Sequence, residues 1–448
     1  MSTHSSCAVR ARGVRNDAPK GSLEDYVRVA YESHNRWRHL RFFSTCLSVG
    51  KYPSISFASQ FGRQVGIVIF PSQGMKNGAP KSCPGWDLDD TFDGLTFVHT
   101  APKPEIDICV VHGLNGNAVD TWTRDGQMWP RDFLKSHPQL KPSRIMTYGY
   151  SSRIRDDRNI SGVAEWASGL LAEVSAARVT LEERSRPIIF ICHSLGGLVA
   201  REAMIELNRE SKLYPGISLK YCGLLFLATP HSGVTLADWS VYLVQLAELT
   251  GIRARDFTKM LEAFNYSSRA SKRDFGRLPY TPPHECLYET RKMRVGGSKK
   301  IIVSADSAGL NGLAAQPMSN VDHKDICRFP TDTHPGYLQI GACLVRIQEQ
   351  IQQAVAGPPC YFPHALPTQQ DQRADKPDVT LSSLDTARQP TPSGIRAGQG
   401  IGGSISRSDN TIVIGGGRAT GASMTLRDLQ GFTGRVEGGT GHGAVIEI

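Results

Sequence analysis

Between about Gly94 and Ala356 the chain alternates short apolar runs with segments of helical or polar pattern. The runs are "GLTFV", "IDICVV", "RIMTY", "PIIFIC", "YCGLLFLA", "CLY" and "KKIIV". Each is of strand length, and none shows the strict polar alternation of a strand with one wet face. Strands apolar on both faces and interleaved with helices describe a parallel sheet covered on both sides. The predicted class is therefore α/β, with a mostly parallel central sheet flanked by helices.

Several helices follow from apolar spacing. "SGVAEWASGLLAEVSAARV", from Ser161, leads into the "PIIFIC" strand. After that strand Leu195, Val199, Ala203 and Leu207 recur every four residues, with Arg201, Glu202 and Glu206 facing away, which predicts an amphipathic helix laid on the sheet. "HPGYLQIGACLVRIQEQIQQAV" predicts a final helix. From Leu236 a long helical insertion runs after "YCGLLFLA"; Trp239, Tyr242, Leu243 and Leu246 give it an apolar face suited to a lid or equally to ordinary packing.

The flanks read differently. Residues 1–90 are irregular, with turn-forming clusters such as "KNGAPKSCPGWD" and one apolar run, "VGIVIF". Residues 91–356 are the α/β domain. Residues 357–448 begin with a linker rich in Pro and Gln and end in a tail rich in Gly, Ser and Thr, with β-prone islands "NTIVIGGG" and "HGAVIEI". Such a tail has too little apolar material for a core, so disorder is the expectation and intermolecular β-pairing the alternative.

Composition narrows the picture. The 448 residues are 40% hydrophobic, enough for one large domain with extensions. A net charge of +9 favours anionic partners, but the basic residues are scattered without interleaved aromatics, so a peripheral membrane surface is expected as a partner and nucleic acid is not. Ten cysteines stand singly with no C-x-x-C pair, which points to a reducing compartment, no zinc cluster and no cofactor. No apolar stretch reaches the ~18 to 20 residues of a membrane span, and no secretory signal is read. The first twenty residues carry Arg10, Arg12, Arg15 and Lys20 against Asp17, as a mitochondrial presequence or a plain basic terminus would. An intracellular protein, cytoplasmic or peripheral to the membranes of mitochondrion or endoplasmic reticulum, is the expectation.

Chemistry concentrates at "FICHSLGGLVARE". A buried strand, then C-H-S-L-G-G, then a helix is the context of a nucleophile elbow, where a sharp turn lifts Ser194 clear at the positive end of a helix. Cys192 replaces the first glycine of the usual G-x-S-x-G. Upstream, "DICVVHGLNGNAVDTW" ends a strand in His112-Gly113 and continues in small residues, the place for a second oxyanion donor. The backbone N–H groups of Leu114 and Leu195 are the expected pair. His323, in "NVDHKDICRF" between the last strand-like run and the final helix, is the expected base, while His231 in "LATPHSG" shapes the loop beside the pocket. The acid stays open between Glu289, at the end of "ECLYE", and Asp306, in "VSADSAGL", with Glu289 ahead; Asp322 is too close in sequence to orient the same ring.

In order, "VVHGLNGNAVDTWT", "WPRDFL", "RIMTYGY", "FICHSLGGLVARE", "LLFLATPHSG", "LYET", "DSAGL" and "DHKDICRF" resemble the serine active-site-containing proteins and their fungal lipase-like relatives, over roughly Gly94 to Ala356. These are α/β hydrolases related to GPI inositol-deacylases and bacterial lipases. The resemblance implies an α/β-hydrolase fold with a lid-like insertion, Ser194 as nucleophile, His323 as base, donation near Leu114 and Leu195, and Glu289 as acid. It also implies a lipid or acyl-ester substrate. Fungal relatives occur as short effectors of NACHT-type incompatibility systems, which implies self-association or receptor contact through the tail as an alternative role.

Overall fold

The computed structural model describes residues 6–15, 17–39, 51–152, 162–231, 271–295 and 298–356, together with three strands between 404 and 438. The predicted lid-like insertion from Leu236 lies outside the described residues.

Residues 8–89 form an antiparallel sheet of four strands, β1 (Ala8–Gly13), β2 (Ser54–Gln60), β3 (Arg63–Ile69) and β4 (Trp86–Asp89), in the order β2-β3-β1-β4. Helix α1 (Lys20–His39) covers it with Leu23, Tyr26, Val27 and Ala30, one apolar stripe at helical spacing, against Val9, Ala11, Val68 and Phe70. The expectation that residues 1–90 are irregular is therefore corrected. Only β3 has an apolar run. The other strands mix Arg, Ser and Asp into their exposed positions and into buried ion pairs, which hides the period from the sequence. Arg10, buried on β1, donates to Asp89 at 2.8 Å and to Thr96 Oγ1 at 2.6 Å, tying this layer to the strand that follows.

That strand is β5 (Gly94–Thr100), followed by β6 (Ile106–Val111), β7 (Ser143–Gly149), β8 (Ile188–His193), β9 (Cys222–Leu227), β10 (His284–Glu289) and β11 (Gln316–Met318). Their order is β11-β10-β9-β8-β6-β7-β5, with every neighbouring pair parallel except β5 against β7. Every residue of β6, β7, β8 and β9 is buried, as continuous apolar runs require. Helices α2 (Val163–Ala176) and α3 (Leu195–Arg209) lie together, and α4 (Pro335–Ala356) packs on β9, where a side chain at Gly223 would meet Ile347 and Ile351. The expected α/β-hydrolase architecture is present. Among the described residues no helix is long and apolar enough to cross a membrane.

One strand prediction fails. Of "KKIIV" only Lys299 and Lys300 are extended, in the strand Ser298–Lys300, which pairs with Met293–Val295 in a separate hairpin. The outer strand of the main sheet is instead the short β11, whose Pro317 and exposed Gln316 give no strand signal.

Two details finish the sheet. At the outer edge of β5, the Gln60 side chain donates to the carbonyl of Leu95 at 2.9 Å and accepts from the N–H of Phe97 at 3.0 Å, while Glu173 accepts from the N–H of Leu95. At the amino end of β6, the fully buried Asp107 carboxylate gathers three guanidinium groups: Arg144 at 2.8 Å, Arg186 at 3.1 Å and Arg178. From Pro363 onward the chain is a separate unit. In it Ser404–Ser408 pairs antiparallel with Thr411–Gly415, which pairs parallel with Val436–Gly438.

Candidate active site

The chain leaves β6 toward one side of the sheet to form β7, then returns to the other side of β6 to form β8. Connections that diverge in this way open a crevice at the carboxyl ends of the two central strands. Gly113, just beyond β6, and Ser194, just beyond β8, meet there. A Cβ built on Gly113 would lie only 3.0 Å from that of Ser194.

Ser194 has φ 53° and ψ −120°, a backbone region that non-glycine residues occupy only when the surroundings enforce it. Its N–H donates to the Leu227 carbonyl of β9 at 2.9 Å, and its carbonyl accepts from the N–H of Gly197 at 3.0 Å. The two glycines that follow are forced by close approach. A Cβ on Gly196 would sit 2.4 Å from the carbonyl oxygens of Val111 and His112, and one on Gly197 would sit 2.1 Å from Thr229 Oγ1. The start of α3 is thereby seated directly on the ends of β6 and β9. Cys192 is wholly buried in β8, between register partners Val111 and Phe226, and burial pushes its thiol well above the usual range.

The Leu195 N–H opens α3 and so has no intrahelical partner. Leu114 sits in a turn closed by the Gly116 N–H on the Gly113 carbonyl at 3.0 Å, with Asn115 at φ 50°. Tyr150 fixes that turn: its hydroxyl donates to the His112 carbonyl at 2.6 Å and its ring stacks on His112 at 4.3 Å.

Glu289 is the last residue of β10 and is buried, as is His323. His323 Nδ1 lies 3.4 Å from Glu289 Oε1, an electrostatic contact rather than an aligned hydrogen bond. The same oxygen accepts from the N–H groups of Ile302 and Val303 at 2.9 and 2.7 Å. This is why "KKIIV" does not continue as a strand: its amides serve a carboxylate instead of a ladder. Asp306, by contrast, is exposed on the short helix Ala305–Ala308, and the structure does not bring it to His323. Asp322 pairs with Arg291 at 2.8 Å and accepts from the N–H groups of Lys324 and Asp325, so it shapes the loop. Trp129 Nε1 donates to the Cys327 carbonyl at 2.9 Å and anchors the far end of that loop. A carboxylate held beside one imidazole nitrogen orients the ring and leaves the other nitrogen to exchange a proton with a reacting group.

Two residues escaped the sequence reading. Arg201, expected to face away, is buried at 1% exposure, with Nε donating to Ser271 at 3.2 Å and His231 Nδ1 at 3.5 Å from its guanidinium. Burial lowers this guanidinium to about 10. His231 lies in the loop after β9, its ring edge-on to Phe226. Its burial, then Arg201, hold its pKa well below the usual value. The other is His193, whose Nε2 lies 2.9 Å from the His323 carbonyl, with the two rings 5.0 Å apart. A carbonyl only accepts, so the ring proton sits on Nε2. Burial, then His323, keep this imidazole neutral, its pKa well below the usual value.

Residues 104–259 match the family described as "Putative serine esterase (DUF676)". Protein SERAC1 of Mus musculus is 26% identical over 272 residues, 53% of this chain and 39% of that protein. Protein SERAC1 of Danio rerio is 27% identical over 271 residues, again 53% of this chain and 39% of that protein. The chain thus spans well under half the length of these curated relatives. Among solved structures, a lipase-esterase related protein from Clostridium acetobutylicum superposes with a TM-score of 0.34 and 10% identity, over 56% of this chain and 99% of that one. The NocB thioesterase domain, solved as a covalent complex with a fluorophosphonate nocardicin G analogue, does so with a TM-score of 0.33 and 14% identity, over 57% and 99%. Likeness at that level adds nothing to the sheet topology already described. Over residues 104–259, the chain is thus similar to this serine esterase family.

Proposed function

We propose that the protein is a serine hydrolase cleaving a lipid or other acyl ester, with Ser194 as nucleophile, His323 as base and Glu289 as the orienting acid. The observation that carries this reading is the buried Glu289–His323 pair at 3.4 Å, whose histidine is tied through its carbonyl to His193, the neighbour of a serine in strained backbone at the topological switch point. In the reaction Ser194 Oγ attacks the acyl carbonyl while His323 takes its proton. The Leu114 and Leu195 N–H groups stabilise the developing oxyanion. His323 returns the proton to the leaving alcohol, and water, activated by the same ring, hydrolyses the acyl-enzyme. Eight free cysteines among the described residues, seven of them buried, support a reducing, intracellular setting. The test is fluorophosphonate labelling. Wild type should label, and Ser194→Ala and His323→Ala should not; a Ser194→Ala protein that still labels would remove Ser194 as the nucleophile.

A second reading assigns the protein to a signalling assembly formed through its tail, supported by the strand pairing of Ser404–Ser408 with Thr411–Gly415. Full-length chains should then seed thioflavin-positive fibres, whereas persistent monomers at high concentration would sink the idea.

A further inference from the structure

The segment "RKMRVGGSKK", residues 291–300, carries Arg291, Lys292, Arg294, Lys299 and Lys300 with no acidic residue. Met293–Val295 and Ser298–Lys300 pair as antiparallel strands, and the register sets Arg294 directly opposite Lys299. Side chains of directly opposed residues share one face of a hairpin, where like charges repel and destabilise the pair. Both are exposed, as is Lys292. Arg291 is held by Asp322 and Asp325. The other four cations have no ion pair among the described residues.

The hairpin is rooted in the candidate active site at both ends. Thr290 and Arg291, its entry, donate backbone N–H groups to the Val321 carbonyl at 3.2 and 2.9 Å, two residues before His323. Ile302 and Val303, its exit, hold the Glu289 carboxylate. Met293 packs against the hydrophobic core and secures the base of the hairpin. The repulsive pair therefore stands beside the acid and base residues, at the sheet end where a substrate would enter.

We infer that this hairpin docks the protein on an anionic lipid bilayer and so brings the mouth of the active site to the membrane. An anionic surface converts the Arg294–Lys299 repulsion into attraction on both sides. A bilayer fits better than nucleic acid because no aromatic side chain in 291–300 offers a base a stacking platform. The inference rests on the proposed ester hydrolysis only for the benefit of the placement; the binding itself does not require turnover.

The full chain is mixed with extruded vesicles of phosphatidylcholine alone, or of phosphatidylcholine with phosphatidylserine, and bound protein is measured by flotation. Wild type and Ser194→Ala should bind only the phosphatidylserine vesicles, less as salt rises. Each basic residue near an anionic leaflet is worth about fivefold in partitioning, so Arg294→Gln/Lys299→Gln should lose about twenty-five-fold. Its turnover of a water-soluble short-chain ester should be unchanged. The matched control Lys212→Gln/Lys220→Gln removes two exposed charges near the amino end of β9, away from the site, and should bind like wild type. Equal binding to neutral vesicles, equal loss in the control, or a hairpin-dependent affinity for single-stranded RNA without vesicle binding would each overturn the inference. Loss of fluorophosphonate labelling at Ser194 would count against the hydrolase reading alone, because flotation is read on Ser194→Ala as well.

Discussion

His193 Nε2 donates to the backbone carbonyl of His323 at 2.9 Å. The side chain next to Ser194 thereby fixes the main chain of the residue proposed as its base. If that bond sets the distance across which the proton moves, His193→Ala should lower kcat by up to about a hundredfold, the scale of a small misplacement of reacting groups. KM should change little, and His193→Gln, which can also donate, should recover part of the loss. Steady-state kinetics on a soluble ester decide the matter: an unchanged kcat in His193→Ala would reduce the contact to packing.

The two carboxylates left open by the sequence have opposite expectations. Glu289→Gln keeps the shape but removes the charge beside His323, and should cut kcat by about three to four orders of magnitude. Asp306→Asn, at an exposed site, should leave kcat within about twofold, as a surface change normally does. A reversal of these two results would move the acid to Asp306 and require the loop to rearrange.

Acid should weaken the fold. Burial lowers the pKa of His193, His231 and His284, with His323, then Arg201, adding for the first two. An unfolded histidine titrates near 6.5, so between that pH and the lower folded values the unfolded chain binds more protons. The contribution is complete above about pH 7 and is lost as pH falls below about 6.5. Melting temperature should therefore be flat from neutral to mildly alkaline pH and decline below that. A melting temperature that rises on acidification would show that these rings are protonated in the folded state.

Asp107 offers a test of stability apart from chemistry. Asp107→Asn leaves the buried guanidinium groups of Arg144, Arg178 and Arg186 facing an amide. Removing one side of a buried ion cluster costs about 3–5 kcal/mol. Chemical denaturation should show that loss, while the fraction that stays folded still labels at Ser194. A neutral substitution would mean that water reaches the cluster.

The sheet was legible because its strands are apolar on both faces, and the elbow because a strand, a serine, two glycines and a helix adjoin in sequence. The Glu289–His323 contact was only half legible. It depends on Ile302 and Val303 giving their amides to a carboxylate 13 residues or more away, and an apolar run reads the same whether its amides face a strand or an acid. Arg201 was misread because helical spacing assigns a charged residue to the solvent unless a polar partner, here Ser271, waits inside. The amino-terminal sheet was missed for a related reason: its strands carry arginine and aspartate that neutralise one another.

The Gln60 amide has a consequence for where this protein could be cut. Its two hydrogen bonds imitate the peptide of a neighbouring strand along the rim of β5. A fragment begun at residue 91 would bare that rim, with the Leu95 carbonyl and the Phe97 N–H open to another chain. Open rims of this kind recruit strands from other molecules. The smallest piece expected to stay soluble therefore starts before Ala8, and the first ninety residues act as a seal on the hydrolase sheet.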